Sequence, residues 1–200
     1  LFGLIISIFI YDFILIFSLI IMGNLSILEF SNLMKKIKLK NYYFFFLNLI
    51  FITYVFLFCI IFYILTKLVH FEILLFTILL GCIASDIGGF VIGKIFKGPK
   101  LTKISPNKTI SGSIGALFLT SITFVFLLYY YTNTISFKVF FVGLIISVAC
   151  QSGDLLFSFL KRKAKLKDTG TIFPGHGGIL DRFDGLIFVL TIGSLFKIIL

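Results

Sequence analysis

Long apolar runs alternate with short basic stretches along the whole chain, and that rhythm sets the expected elements. Six runs reach or approach the roughly 20 residues that a helix needs to cross a ~30 Å hydrocarbon layer. They are Leu4–Met22, Tyr42–Leu65, Phe71–Gly93, Ser113–Tyr131, Val139–Leu160 and Phe183–Leu200. Lipid offers no partner to a free backbone N–H or C=O, so each run is expected to be a helix. The third run holds Asp86, Gly88, Gly89 and Gly93, which predicts a loosened or early end there. The expected fold class is therefore all-α: a polytopic transmembrane helix bundle of about six spans. Residues 1–84 would supply the N-terminal spans and residues 85–200 the polar motifs of one integrated membrane domain. The chain opens on Leu1 rather than Met, so its true start is expected upstream, and no basic leader precedes the first apolar run to mark a cleavable signal.

Composition agrees with this pattern. The 200 residues are 60% apolar, with 28 Phe and no Trp, and only 13% are charged, about half the share of an ordinary soluble domain. The net charge of +10 would fit nucleic acid if the cations formed one face. They sit instead in the connections. Lys and Arg number 4, 1, 5, 1 and 6 in the five successive loops, with Lys197 left over. By the positive-inside rule, loops one, three and five are expected on the cytoplasmic side of a bacterial inner membrane, with the start of this chain facing outward. Nucleic acid is excluded as a partner; anionic lipid headgroups and phosphate ligands are the expected neighbours. The segment Ser31–Asn41 reads as a basic loop near the membrane surface. Cys59, Cys82 and Cys150 lie in apolar runs without metal-type spacing and read as buried small hydrophobes.

Chemistry concentrates in loop five. Ser158–Asp184 holds six basic residues, three acids, one His and four glycines in 27 positions. Continued as a helix, the fifth span places Asp154, Ser158, Lys161 and Lys165 on one face at i, i+4, i+7 and i+11. A metal-bound polyphosphate matches that order, with the carboxylate on the metal and the ammonium groups on phosphate oxygens. The bland alternative is a helix-end ion pair with snorkelling lysines, which would not require Ser158. Asp181 and Asp184 open the last span, where acids are also favoured as caps by the helix dipole. The preceding Pro174-Gly175-His176-Gly177-Gly178 permits close backbone approach to an anion. Hard carboxylate oxygens suit Mg²⁺ rather than zinc, and His70 and His176 are too far apart in sequence to suggest zinc. In loop three, Ser105-Pro106-Asn107-Lys108-Thr109 precedes a helix; a capped turn and a phosphate-binding turn both remain open. Asp12 and Asp86 receive no role.

These motifs resemble the phosphatidate cytidylyltransferases, also called CDP-diacylglycerol synthases. The resemblance is carried by Ser158-x-Leu160-Lys161-Arg162, Lys167-Asp168-x-Gly170 and Pro174-x-His176-Gly177-Gly178-Ile179-x-Asp181-Arg182-Phe183-Asp184. Asp86-x-Gly88 and Ser105-Pro106-x-Lys108-Thr109-x-x-Gly112 extend it upstream, whereas the first 80 or so residues are similar only in character. Ile87, Ser111 and Phe157 depart from the family's pattern, the last two standing where Glu is common. The resemblance implies transfer of a cytidylyl group from CTP to phosphatidate, giving CDP-diacylglycerol and diphosphate. It implies Mg²⁺ on Asp154 and Asp181 with Asp184 in support, and a second cation is compatible with that set. Lys161, Arg162, Lys167 and Arg182 would neutralise phosphates, Asp168 would orient them, and Ser105, Lys108, Thr109, Ser158, His176, Gly177 and Gly178 would contact substrate. The expected partners are CTP, phosphatidate and membrane lipid, and a homodimer is allowed. Two other readings remain: a CTP-dependent kinase of a polyprenol-type lipid, with Asp168 or Asp184 as base, and a non-catalytic anion transporter.

Overall fold

The computed structural model describes residues 12–102, 104–134, 136–170 and 177–193, with the side chains of residues 69–72 outside that description. It holds six helices: α1 Asp12–Lys36, α2 Asn41–Lys67, α3 Val69–Phe96, α4 Ile110–Thr132, α5 Phe137–Lys163 and α6 Leu180–Gly193. Among the described residues there is no strand; an isolated bridge joins Lys100 and Thr109. Five helices are long and apolar enough to cross a membrane, α6 being described over only 14 residues. Phe13, Phe45, Phe90 and Phe137 stand on the outer surface, at least 69% exposed. Such a surface is stable in lipid and not in water, and the chain is an integral membrane protein.

The first two helices are antiparallel. Asp12, at the start of α1, pairs with Lys67, at the end of α2. This places Lys35 and Lys36 at the other end of the bundle, together with the α3–α4 and α5–α6 connections. The first helix differs from its expected extent. It runs through Gly23, Asn24 and Glu29 to Lys36, so most of the basic segment expected as a loop is helical and only residues 37–40 connect to α2. The part of the expected first span before Asp12 lies outside the described residues.

The third helix also outruns its expected end, reaching Phe96. Its glycines do not loosen it; they let α4 approach. A Cβ at Gly88 would stand 2.8 Å from the Gly115 carbonyl oxygen and 3.1 Å from the Ala116 Cα. Small residues on facing helices let backbones pack closely where no hydrophobic force favours helix over lipid. Gly88→Leu is expected to push α3 and α4 apart at a cost of about 1–3 kcal/mol, read as a lower unfolding temperature in detergent.

On the opposite flank, aromatic rings join α1, α2, α5 and α6. Phe30 stacks on Phe51 with centroids 3.9 Å apart, Phe51 meets Phe157 edge-on at 6.3 Å, and Phe157 meets Phe188 at 6.5 Å. Phe157, where the resembled family commonly carries Glu, is 3% exposed in this cluster. Its ring fills apolar space that a carboxylate could occupy only unpaired. The Tyr54 hydroxyl donates to the Ile187 carbonyl at 2.8 Å and fastens α2 to α6.

Candidate active site

Two groups of polar side chains form at the end of the bundle that holds the α3–α4 and α5–α6 connections. The first lies between α3, α4 and α5, around a cleft of about 230 Å³ lined by Asp86, Lys108, Thr109, Ser113, Gln151 and Asp154 among others. The α3–α4 connection folds back on itself there: Leu101 N–H donates to the Lys108 carbonyl at 2.8 Å and Ile110 N–H to the Pro99 carbonyl at 2.9 Å. This short ladder aims Lys108 across the cleft, where its ammonium pairs with Asp154 of α5. Ser158, one turn further along α5, donates to the other Asp154 oxygen at 3.4 Å. Asp154, Ser158 and Lys161 share the helix expected from the sequence, but α5 ends at Lys163 and Lys165, with φ +57°, lies beyond it; Lys108 of loop three supplies the cation beside Asp154 instead.

Thr109 caps α4, its hydroxyl accepting from Gly112 N–H at 3.1 Å. Of the two readings left open for this turn, the cap is the one seen at Thr109, while Lys108 turns to the cleft. Ser105 N–H donates to the Thr102 hydroxyl at 3.3 Å and its carbonyl accepts from Lys108 N–H at 3.1 Å, so Ser105 shapes the turn. Gln151 was not singled out from the sequence. Its amide donates to the Ser113 carbonyl at 3.3 Å and the Ser147 hydroxyl at 3.2 Å, and its oxygen accepts from the Ser113 hydroxyl.

The second group lies between α5, α6 and the connection before α6. Asp181 accepts from Lys161 Nζ at 2.7 Å on one oxygen. The other accepts from Thr169 N–H at 2.8 Å and Gly178 N–H at 2.9 Å, and the Thr169 hydroxyl lies 2.9 Å away, equally close to Glu29, its one proton shared between the two acids. Burial alone would raise the Asp181 carboxyl; the Lys161 ammonium and the two backbone N–H groups outweigh it and hold the group below its ordinary value. The bond from Gly178, three residues earlier, is a capping contact, so the capping role weighed for this acid is present. Gly177 has φ +82°, a left-handed conformation natural to glycine, and packs against the Asp181 carboxylate.

Asp184 belongs to the level of Asp154. Gly153 packs against the Asp184 backbone, where a Cβ would stand 2.5 Å from the carbonyl oxygen. The Asp184 carboxylate feels the charges of Asp154, Lys161 and Asp86, and Asp86 feels those of Asp154, Lys108 and Arg182. Asp154 and Lys161 are seven residues apart on α5, about 10 Å of helical rise, and Asp181 sits at the Lys161 level. Asp86 and Asp154 line the same cleft, and Asp184, one turn after Asp181 on α6, lies between the charges of Asp154 and Lys161. Among the described residues no three His, Cys, Asp or Glu side chains close around a common point as for an ion.

The remaining motif residues are peripheral here. The Arg162 guanidinium donates to the Leu166 carbonyl at 3.2 Å and closes the turn after α5. Lys167, Asp168 and Arg182 are exposed. His176, with Pro174 and Gly175, lies outside the described residues, as does the side chain of His70. Glu29 of α1 went unnoticed in the sequence, yet it is 5% exposed and accepts three hydrogen bonds from the motif region. The one local signal was an acid following an apolar run; its partners lie 140 to 151 residues away.

The structure defines a polytopic membrane helix bundle with two Lys–Asp pairs gathered at one end. Comparison with known proteins is more specific: the pattern of the cytidylyltransferase family matches residues 2–199, and the chain belongs to that family. Similar proteins include the phosphatidate cytidylyltransferase of Staphylococcus aureus strain COL, 46% identical over 108 residues that cover 53% of this chain and 42% of that protein. The phosphatidate cytidylyltransferase of Rickettsia felis is 42% identical over 118 residues, covering 53% of this chain and 51% of its own. That of Helicobacter pylori is 39% identical over 111 residues, covering 56% and 42%. The matched stretches span about half, or somewhat less, of those relatives' length.

Proposed function

We propose that this chain carries the catalytic region of a phosphatidate cytidylyltransferase, converting CTP and phosphatidate to CDP-diacylglycerol and diphosphate at the cytoplasmic face of a bacterial inner membrane. The observation that carries the reading is the pair of Lys–Asp contacts, Lys108–Asp154 and Lys161–Asp181, joining the family's motif segments at one end of the bundle. In the reaction a phosphatidate phosphate oxygen attacks the α-phosphorus of CTP. The bond from that phosphorus to the bridging oxygen breaks, and diphosphate leaves with the electron pair. Phosphatidate is already ionised at neutral pH, so the attacking oxygen needs no general base. The remaining task is placement and charge neutralisation.

Each lysine is held by a carboxylate until a competing anion arrives. Phosphate oxygens offer Lys108 and Lys161 a new partner, and the released carboxylates can then serve a cation. The donor chemistry suits Mg²⁺, with hard carboxylate oxygens from Asp154 and Asp86 lining one cleft and Asp184 beside Asp154, although these side chains do not converge on one point as they stand. Asp181 joins them only by giving up Lys161. Asp154 and Asp184 would hold the ion, whose chemistry would be to offset the charge of the departing diphosphate. Arg182, Arg162 and Lys167, at the rim, are placed for the outer phosphates and lipid headgroups. The polar residues gather at one end rather than along a through-path, which speaks against a transporter.

Purified full-length protein given phosphatidate and CTP labelled at the α-phosphorus is expected to move label into lipid. Excess chelator should stop the transfer and added Mg²⁺ restore it. Label entering lipid only from the γ-phosphorus would identify a kinase instead, and full activity in excess chelator would remove the metal assignment.

A further inference from the structure

We infer that Glu29 is a positioning residue: its carboxylate on α1 fixes the opening of α6 and, through Thr169, sets Asp181 against Lys161. The inference deepens the transfer reading above and rests on it for its activity readout.

Glu29 lies two turns before the end of α1 and is buried. One carboxylate oxygen accepts from Ile179 N–H at 3.0 Å. The other accepts from Leu180 N–H at 2.9 Å and from the Thr169 hydroxyl at 2.9 Å. The two N–H groups belong to the start of α6, where a helix leaves its first donors without internal partners and favours a negative charge. An acid from a distant helix therefore caps α6. The same Thr169 hydroxyl is 2.9 Å from Asp181, and Thr169 N–H donates to the same Asp181 oxygen at 2.8 Å. One residue thus ties both carboxylates, and a shift of Glu29 passes directly to the acid that holds Lys161.

The glycines of the motif complete the argument. A Cβ at Gly178 would stand 2.5 Å from the Glu29 carboxyl carbon, and one at Gly170 would stand 2.8 Å from it. Both glycines leave room for Glu29. The closest approach to these backbones is made by a carboxylate of the protein itself, and the Gly178 N–H is given to Asp181. The backbone from Gly178 to Leu180 is held by α1, and its capacity to place Asp181 depends on a helix outside the motif segments.

Glu29→Gln keeps the size of the side chain and removes its charge. For the purified full-length protein, kcat per folded enzyme is expected to fall about 10- to 100-fold, with KM for CTP within about threefold of wild type. A cap that serves folding alone would lower the unfolding temperature and the active fraction and leave kcat per folded enzyme unchanged; that result overturns the inference. Gly178→Ala tests the contact without reference to catalysis. It is expected to lower the unfolding temperature by collision with Glu29, and Glu29→Ala in the same chain should relieve the collision, so the paired losses are less than additive. Fully additive losses would overturn the contact. If the wild-type protein transfers no label, the functional reading fails and the positioning role falls with it, while the melting series still decides whether Glu29 and Gly178 meet.

Discussion

Asp154→Asn is expected to reduce cytidylyl transfer roughly 10²- to 10³-fold or more while leaving the unfolding temperature of the protein nearly unchanged. The two outcomes come from different properties of one carboxylate. Its side chain is 34% exposed and that of its partner Lys108 is 28% exposed. A pair so open to solvent contributes about 0–1 kcal/mol to stability, and an Asn can still accept from Ser158 and Lys108. The bundle therefore has little reason to loosen. Catalysis does lose something, because Asp154 lines the cleft with Asp86, is the acid there that pairs with Lys108 of loop three, and lies within the field of Asp184. A neutral amide cannot release Lys108 in exchange for a cation, nor anchor that cation beside phosphate oxygens. The measurement is initial rate at saturating CTP, paired with a thermal melt in the same detergent. Wild-type turnover would exclude Asp154 from the chemistry, and a collapsed melt would mean its role is structural.

The contrast between what the sequence carried and what it hid follows from the range of the forces involved. Apolar runs are local, so the second, fourth and fifth helices could be placed within a few residues from hydropathy alone. The first helix was misplaced because Gly23, Asn24 and Glu29 interrupt the hydropathy without interrupting the helix. Glycines in the third run carried the same ambiguity: Gly88 can weaken a helix or admit a neighbour, and only the position of Gly115 on α4 decides between them. Helical spacing correctly put Asp154, Ser158 and Lys161 on one face. It could not say that Lys161 would turn to Asp181 and Asp154 to Lys108, because those pairings cross 20 and 46 residues of chain. Glu29 is the extreme case, an acid whose partners lie on the far side of four other helices in sequence. The motif segments from Ser158 to Asp184 that carry the resemblance do not include it.

Asp181→Asn is expected to fail in both measurements. Lys161 and Asp181 are 12% and 9% exposed at their side chains, so removing the carboxylate strands an ammonium where water reaches poorly. Breaking a buried pair from one side costs about 3–5 kcal/mol, and the amide also disturbs a carboxylate that accepts from Lys161, Thr169 N–H and Gly178 N–H and shares the Thr169 hydroxyl with Glu29. A lower unfolding temperature and lost transfer should appear together, and either change alone could then be blamed on the other. The paired variant Lys161→Met with Asp181→Asn separates them. Methionine leaves no charge behind, and replacing both members of a buried ion pair by neutral groups is commonly near neutral for stability. The double variant should therefore melt well above Asp181→Asn and still transfer no measurable label, because the cation needed beside the triphosphate is gone. Recovery of the melt together with recovery of transfer would show that the pair merely holds α5 to α6. Failure to recover the melt would place the cost of Asp181→Asn in the Thr169 and Gly178 hydrogen bonds. In that case Lys161→Met alone, which keeps the carboxylate and those three bonds, should melt above the double variant.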